Sequence, residues 1–164
     1  MHAAINALHT DDEDLAEQTE RFDARLDDLE GALAEVDGLH QAITLFRLWF
    51  TLHAKRRIEV LYPALDSHRC ARATAREGAE ELELASALLD RMEAGPDDAE
   101  TVIARGRVLI ELIELIERHL EKEDDELLPR VRKLSASELD QLDRGLASIG
   151  GDAHGEAHQE AASR

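Results

Sequence analysis

Apolar residues recur along the start of the chain at alternating spacings of three and four: Ile5, Leu8, Leu15, Phe22, Leu26, Leu29 and Leu33. Asp12 and Thr19 fill the places in that series where a further apolar residue is due. This is the period of one helix face in a bundle, and it predicts a first helix over about 3–34. A second helix over about 39–61 carries Ile43, Phe46, Trp49, Phe50, Leu52, Val60 and Leu61. Pro63 is expected to end it, because proline lacks an amide donor and disfavours helix in the residue before it. A third helix, about 67–93, stops at the loop "AGPDDAE", and a fourth runs from there to Leu128, before Pro129. Ser135 or Ser137, followed by Glu138, caps a short fifth helix over about 137–148. The segment "GGDAHGEAHQEAASR" has no apolar period and reads as a disordered tail. The expected organisation is one domain, 1–148, with a tail, 149–164. Short connections make it an all-α, up-down-up-down four-helix bundle with a short C-terminal fifth helix.

Composition agrees with helix. The 164 residues are 43% hydrophobic but only 3% aromatic, so Leu, Ile, Val and Ala must fill the core. A formal net charge of −18 repels phosphate backbones and anionic lipid heads, which argues against nucleic-acid and membrane-surface partners. No apolar run approaches the roughly 18 residues of a membrane span. The N-terminus has no signal-peptide pattern, and the single cysteine, Cys70, excludes an intrachain disulfide, so a cytoplasmic setting is expected. Cys70 is expected to be a small buried residue, and Trp49 and Phe50 to be core, although an exposed apolar face there would allow a homodimer.

Candidate chemistry lies in the polar residues that interrupt the apolar faces. Asp12 stands within the first stripe, and His53 adjoins Leu52 one turn after Trp49. Glu77 and Glu81 share the third helix's series Cys70, Thr74, Leu84, Leu88, and Glu123 follows Ile116 and His119. Each long helix thus sends an ionisable group inward, where charge is costly unless it is paired or metal-bound. His119 and Glu123, at i and i+4, can offer a nitrogen and an oxygen to one cation, a donor set suited to iron, manganese or zinc. His9 and Glu13 repeat the spacing, about as often as chance allows in so acidic a chain, and either pair alone reads as a solvated face. His154 and His158 share that spacing in the tail. A metal centre and a buried salt-bridge network both satisfy the pattern.

Two segments share an outline: "HAKRRIEVLYP", His53 to Pro63, and "HLEKEDDELLP", His119 to Pro129. With "INALHTDDEDL" they resemble the hemerythrin-like (HHE cation-binding) family over about residues 3–130. The resemblance implies a four-helix bundle around a non-haem di-iron centre, used for oxygen binding, sensing, or oxygen and peroxide chemistry. His53, His119 and Glu123 match its metal-ligand positions. Asp12 falls where the first helix's histidine is expected, with His9 one turn earlier, and Glu81 where the third helix's is expected, with Glu77 one turn before. Arg57 stands in the place of a ligand glutamate; it cannot ligate, and pairing with Glu81 or Glu77 would orient that carboxylate. The implied ligand set is His53, His119, Glu123 and Glu81, then Asp12, with Glu77 or His9 as alternates. It would hold one or two iron ions, or manganese or zinc, that meet dioxygen or peroxide. In the alternative, Arg57 replaces the charge of the second metal, and the chain is a metal-free structural or interaction module.

Overall fold

The structure, a computed structural model, describes residues 3–29, 36–93 and 99–162. Helix α1 is Ala3–Leu29 and α2 is Val36–Arg56; a π-helical turn, Arg57–Leu61, leads into the single turn α3, Tyr62–Leu65. Helix α4 is Arg69–Glu93 and α5 is Ala99–Lys122; a second π turn, Glu123–Leu127, leads into α6, Leu128–Val131, and α7 is Ala136–Ala162. There is no strand among the described residues. Helix α1 packs on α2 and α5, α4 packs on α5, and α7 lies across α1 and α2, completing the expected up-down-up-down bundle with its added C-terminal helix. The expected end of the first helix at 34 lies outside the described residues.

Neither proline stops its helix. The chain stays helical through Pro63 to Leu65 and through Pro129 to Val131. In a regular α-helix the proline ring would press on the carbonyl four residues back. Here the preceding turn is widened, with Tyr62 N–H donating to the Arg57 carbonyl and Leu128 N–H to that of Glu123. Such one-turn π insertions recur at functional sites. Helix α7 also exceeds its expectation: it runs past 148, through a segment whose Ala, Glu and Gln content favours helix.

Helix α1 buries a wider face than a single stripe: Ala4, Ile5, Leu8, Asp11, Asp12, Leu15 and Thr19 all point inward. Thr19 is accommodated because its hydroxyl donates to the Leu15 carbonyl over 2.9 Å. On α4 the buried face is Ala71, Thr74, Ala75, Leu82, Ala85, Leu88 and Leu89, about one residue round from the expected series. Cys70 is therefore exposed, not buried as expected. Trp49 and Phe50 are core residues, as expected, and the Phe46 and Phe50 rings stack at 6.4 Å.

Ser135 caps α7: Glu138 N–H donates to its hydroxyl oxygen over 3.3 Å, and Ser135 N–H donates to Glu138 Oε2 over 2.8 Å. Helix α7 then crosses the first π turn so closely that a Cβ on Gly145 would lie 2.6 Å from Val60 Cγ1. No described helix is long and apolar enough to cross a membrane.

Candidate metal centre

The two π turns begin at equivalent places, four residues after His53 and four after His119. They bring the two segments face to face. His53 Nε2 lies 3.4 Å from His119 Nε2, and Arg57 Nε donates to Glu123 Oε2 over 2.6 Å. Each pair spans 66 residues of sequence. All four side chains are buried. The imidazoles meet edge to face, with centroids 5.6 Å apart and planes at 80°.

Both rings turn their other nitrogen toward carboxylates. His119 Nδ1 is 3.0 Å from Glu81 Oε2, and His53 Nδ1 is 3.3 Å from Asp11 Oδ2 and 3.5 Å from Asp12 Oδ1. No oxygen lines up well with the His53 Nδ1 direction, although Asp11 Oδ2 and Asp12 Oδ1 lie on that side of the ring. With the ring proton on Nδ1, beside those carboxylates, the two Nε2 atoms would face each other as lone pairs. Burial, reinforced by the charge of Arg57, holds the His53 pKa down, so this imidazole stays neutral. Glu123 Oε1 adds a third donor 3.5 Å from His119 Nε2.

Arg57 is fully buried at the centre of the acid cluster. Besides Glu123, it donates through Nη1 to Asp11 Oδ2 over 2.9 Å, and through Nη2 to Asp12 Oδ1 and to the Leu8 carbonyl. Arg56 Nη1 reaches the other Asp11 oxygen at 2.8 Å. Burial raises the Asp11 carboxyl, but His53, Arg57 and Arg56 outweigh it and hold the group at about 2. Glu123 is likewise raised by burial and held below the usual carboxylate range chiefly by the charge and hydrogen bond of Arg57. Asp12 goes the other way: burial, helped by repulsion from Glu123 and Asp11, overcomes Arg57 and pushes it to about 8. Asp11 and Glu123 thus face Arg56 and Arg57 as charged partners, while burial favours the protonated form of Asp12. The expected pairing of Arg57 with Glu81 or Glu77 does not occur. Residues of α1 and the second π turn surround the guanidinium instead.

Glu81 sits on the far side of His119. Its second oxygen takes Lys122 Nζ, and the His119 hydrogen bond, against burial and with Lys122, brings its pKa to about 2. Glu81 thus holds the outer nitrogen of His119 and also lines a surface groove with Glu77, Glu80, Leu84 and Lys122. Glu77 is exposed, 3.5 Å from Lys122. His9 is exposed and pairs with Glu13 at 3.4 Å, away from the cluster.

Three contributors escape a reading of the sequence alone. Asp11 was signalled by the series Ala4, Leu8, Asp11, Leu15, which has the same spacing as the stripe through Asp12. Tyr62 does more than pack: its hydroxyl donates to Glu123 Oε1 over 2.8 Å, and burial beside that carboxylate raises its pKa, keeping it a donor. Gly78 makes the room, since a Cβ there would stand 2.5 Å from the Tyr62 hydroxyl and 3.5 Å from His119 Cε1.

Two groups of side chains could each hold an ion: His53, His119 and Glu123, and, sharing His53, Asp11 and Asp12. The first fits a transition-metal ion. Two nitrogens bound at ~2.05 Å in tetrahedral geometry stand about 3.4 Å apart, and 3.4 Å is the separation found. The second is filled by the Arg57 guanidinium.

The sequence model of the hemerythrin HHE cation-binding domain matches residues 3–131. No curated protein and no solved structure matches the chain. With most of its length under that model, and with the paired segments meeting at one buried cluster, the chain belongs to the hemerythrin HHE cation-binding domain family.

Proposed function

We propose that the chain binds a transition-metal ion, iron by kinship, through His53 Nε2, His119 Nε2 and Glu123 Oε1. One observation carries this reading: the Nε2 atoms of two imidazoles face each other at 3.4 Å in a buried site, with the Nδ1 of each turned toward carboxylates. That is long for a hydrogen bond and unfavourable for two lone pairs, and a cation between them removes the conflict.

The chain's own groups prepare the donors. Glu81 fixes the His119 ring through Nδ1, and Asp11 places a carboxylate oxygen 3.3 Å from Nδ1 of His53. Arg57 and Tyr62 hold the two oxygens of Glu123. Burial of all three donors excludes water from them. When bound, iron supplies a redox centre for dioxygen or peroxide, the small molecules that the family relation supports. A reducing cytoplasm suits such an ion.

The balanced charges of Asp11, Glu123, Arg56 and Arg57 favour a second reading, a metal-free bundle serving as a structural or interaction module. Elemental analysis of protein from iron-supplemented cells separates the two. Metal binding predicts one or two ions per chain, lost in His119→Ala, whereas less than about 0.2 iron, manganese or zinc after reconstitution leaves only the metal-free bundle.

A further inference from the structure

We infer that the centre is built for one metal ion, with the Arg57 guanidinium permanently filling the place of a second. The inference rests on the metal-binding reading above and deepens it. The acidic half of the cluster has the makings of a second site, since Asp11, Asp12 and His53 offer donor atoms within 4.8 Å of one another. The oxygens such an ion would need, Asp11 Oδ2 and Asp12 Oδ1, are those that Arg57 holds through Nη1 and Nη2. A guanidinium is never deprotonated in a protein, so it repels an incoming divalent ion at any working pH. Every edge of the guanidinium is engaged, with the Leu8 carbonyl and Glu123 Oε2 completing its partners, and the residue is fully buried.

Two further observations point the same way. A carboxylate that bridges two metals gives one oxygen to each. Glu123 gives Oε2 to Arg57, while Oε1, which accepts from Tyr62, faces His119 Nε2 at 3.5 Å, so the guanidinium already holds the oxygen that a second ion would share. His53 lies between the two clusters and offers Nε2 to one and Nδ1 to the other. A neutral imidazole has one lone pair and so serves one ion only.

The test is an anaerobic titration of the full chain with ferrous iron, followed by calorimetry and elemental analysis. It is run on a His154→Ala/His158→Ala background, so that tail histidines contribute nothing. The expected result is one ion per chain and, after oxidation, the electron paramagnetic resonance signal of an isolated high-spin ferric ion. Two ions per chain with a silent, coupled spectrum overturns the inference and leaves the metal-binding reading standing. No bound ion overturns that reading, and the inference with it. In Arg57→Glu, reconstituted with ferrous iron, a second ion is expected. A folded Arg57→Glu protein that still takes one shows that arginine was not what excluded it. Should Arg57→Glu fail to fold, the count on the background protein decides.

Discussion

Arg57 Nε donates to Glu123 Oε2 over 2.6 Å, and the two residues hold equivalent places in the two His-to-Pro segments, each opening a π turn. One half of the pseudo-repeat thus supplies the counter-charge for the other. The same position carries a cation in one segment and a carboxylate in the next. Truncating that cation leaves Asp11 and Glu123 charged in the core. Arg57→Met is expected to cost about 3–5 kcal/mol in the metal-free protein, measured by urea unfolding. A loss under about 1 kcal/mol would mean that the carboxylates find other partners.

Neighbouring aspartates are expected to respond to pH with opposite sign. Asp11, held at about 2, adds stability that is complete above about 4 and is lost as pH falls toward 2. Asp12, raised to about 8, keeps its proton in the fold while the unfolded chain loses it above about 4, so wild-type stability declines between those values. Asp12→Asn removes that decline. The metal-free variant should match wild type near pH 4 and exceed it increasingly as pH rises toward 8. Parallel unfolding midpoints across this range would contradict the assignment.

Gly78→Ala tests the opening in α4. Alanine favours helix over glycine by about 1 kcal/mol, but its Cβ would meet the Tyr62 hydroxyl at 2.5 Å. A lower melting temperature is expected despite the better helix former. Tyr62→Phe removes the atom met first, so Gly78→Ala should cost less on the Tyr62→Phe background than in the wild type. Strict additivity of the two changes would show that the residues do not meet.

Glu81→Gln keeps an acceptor beside His119 Nδ1 but removes its charge. Metal affinity is expected to fall about 10- to 100-fold, read by competition with a chelator. The exposed Glu77, changed to Gln in the same way, should stay within about twofold. Equal losses in the two variants would assign the effect to general surface charge.

Much of this arrangement is legible in the sequence because periodicity reports burial. Leu8, Leu15, Phe46 and Ile116 lie in the core where their spacing puts them, and the repeated His-to-Pro outline singles out His53, Arg57, His119 and Glu123. What the sequence hides is geometry finer than one helical turn. Reading one inward residue per turn finds Asp12 but passes over Asp11, although both fit the buried face of α1. On α4 the same shortcut rotates the face by a residue, burying Cys70 and Leu84 on paper while both are exposed. The prolines mislead most: a widened turn absorbs each one, and that turn carries Tyr62 onto Glu123. Arg57's partners come from α1 and the second π turn, a choice that only packing reveals.

The most direct measurement is anomalous diffraction at the iron edge from crystals of the reconstituted protein. A single strong peak per chain is expected, bounded by His53 Nε2, His119 Nε2 and Glu123 Oε1, with Arg57 still seated on Asp11 and Asp12. A peak elsewhere, or none at that triangle in crystals that retain iron, would contradict this assignment.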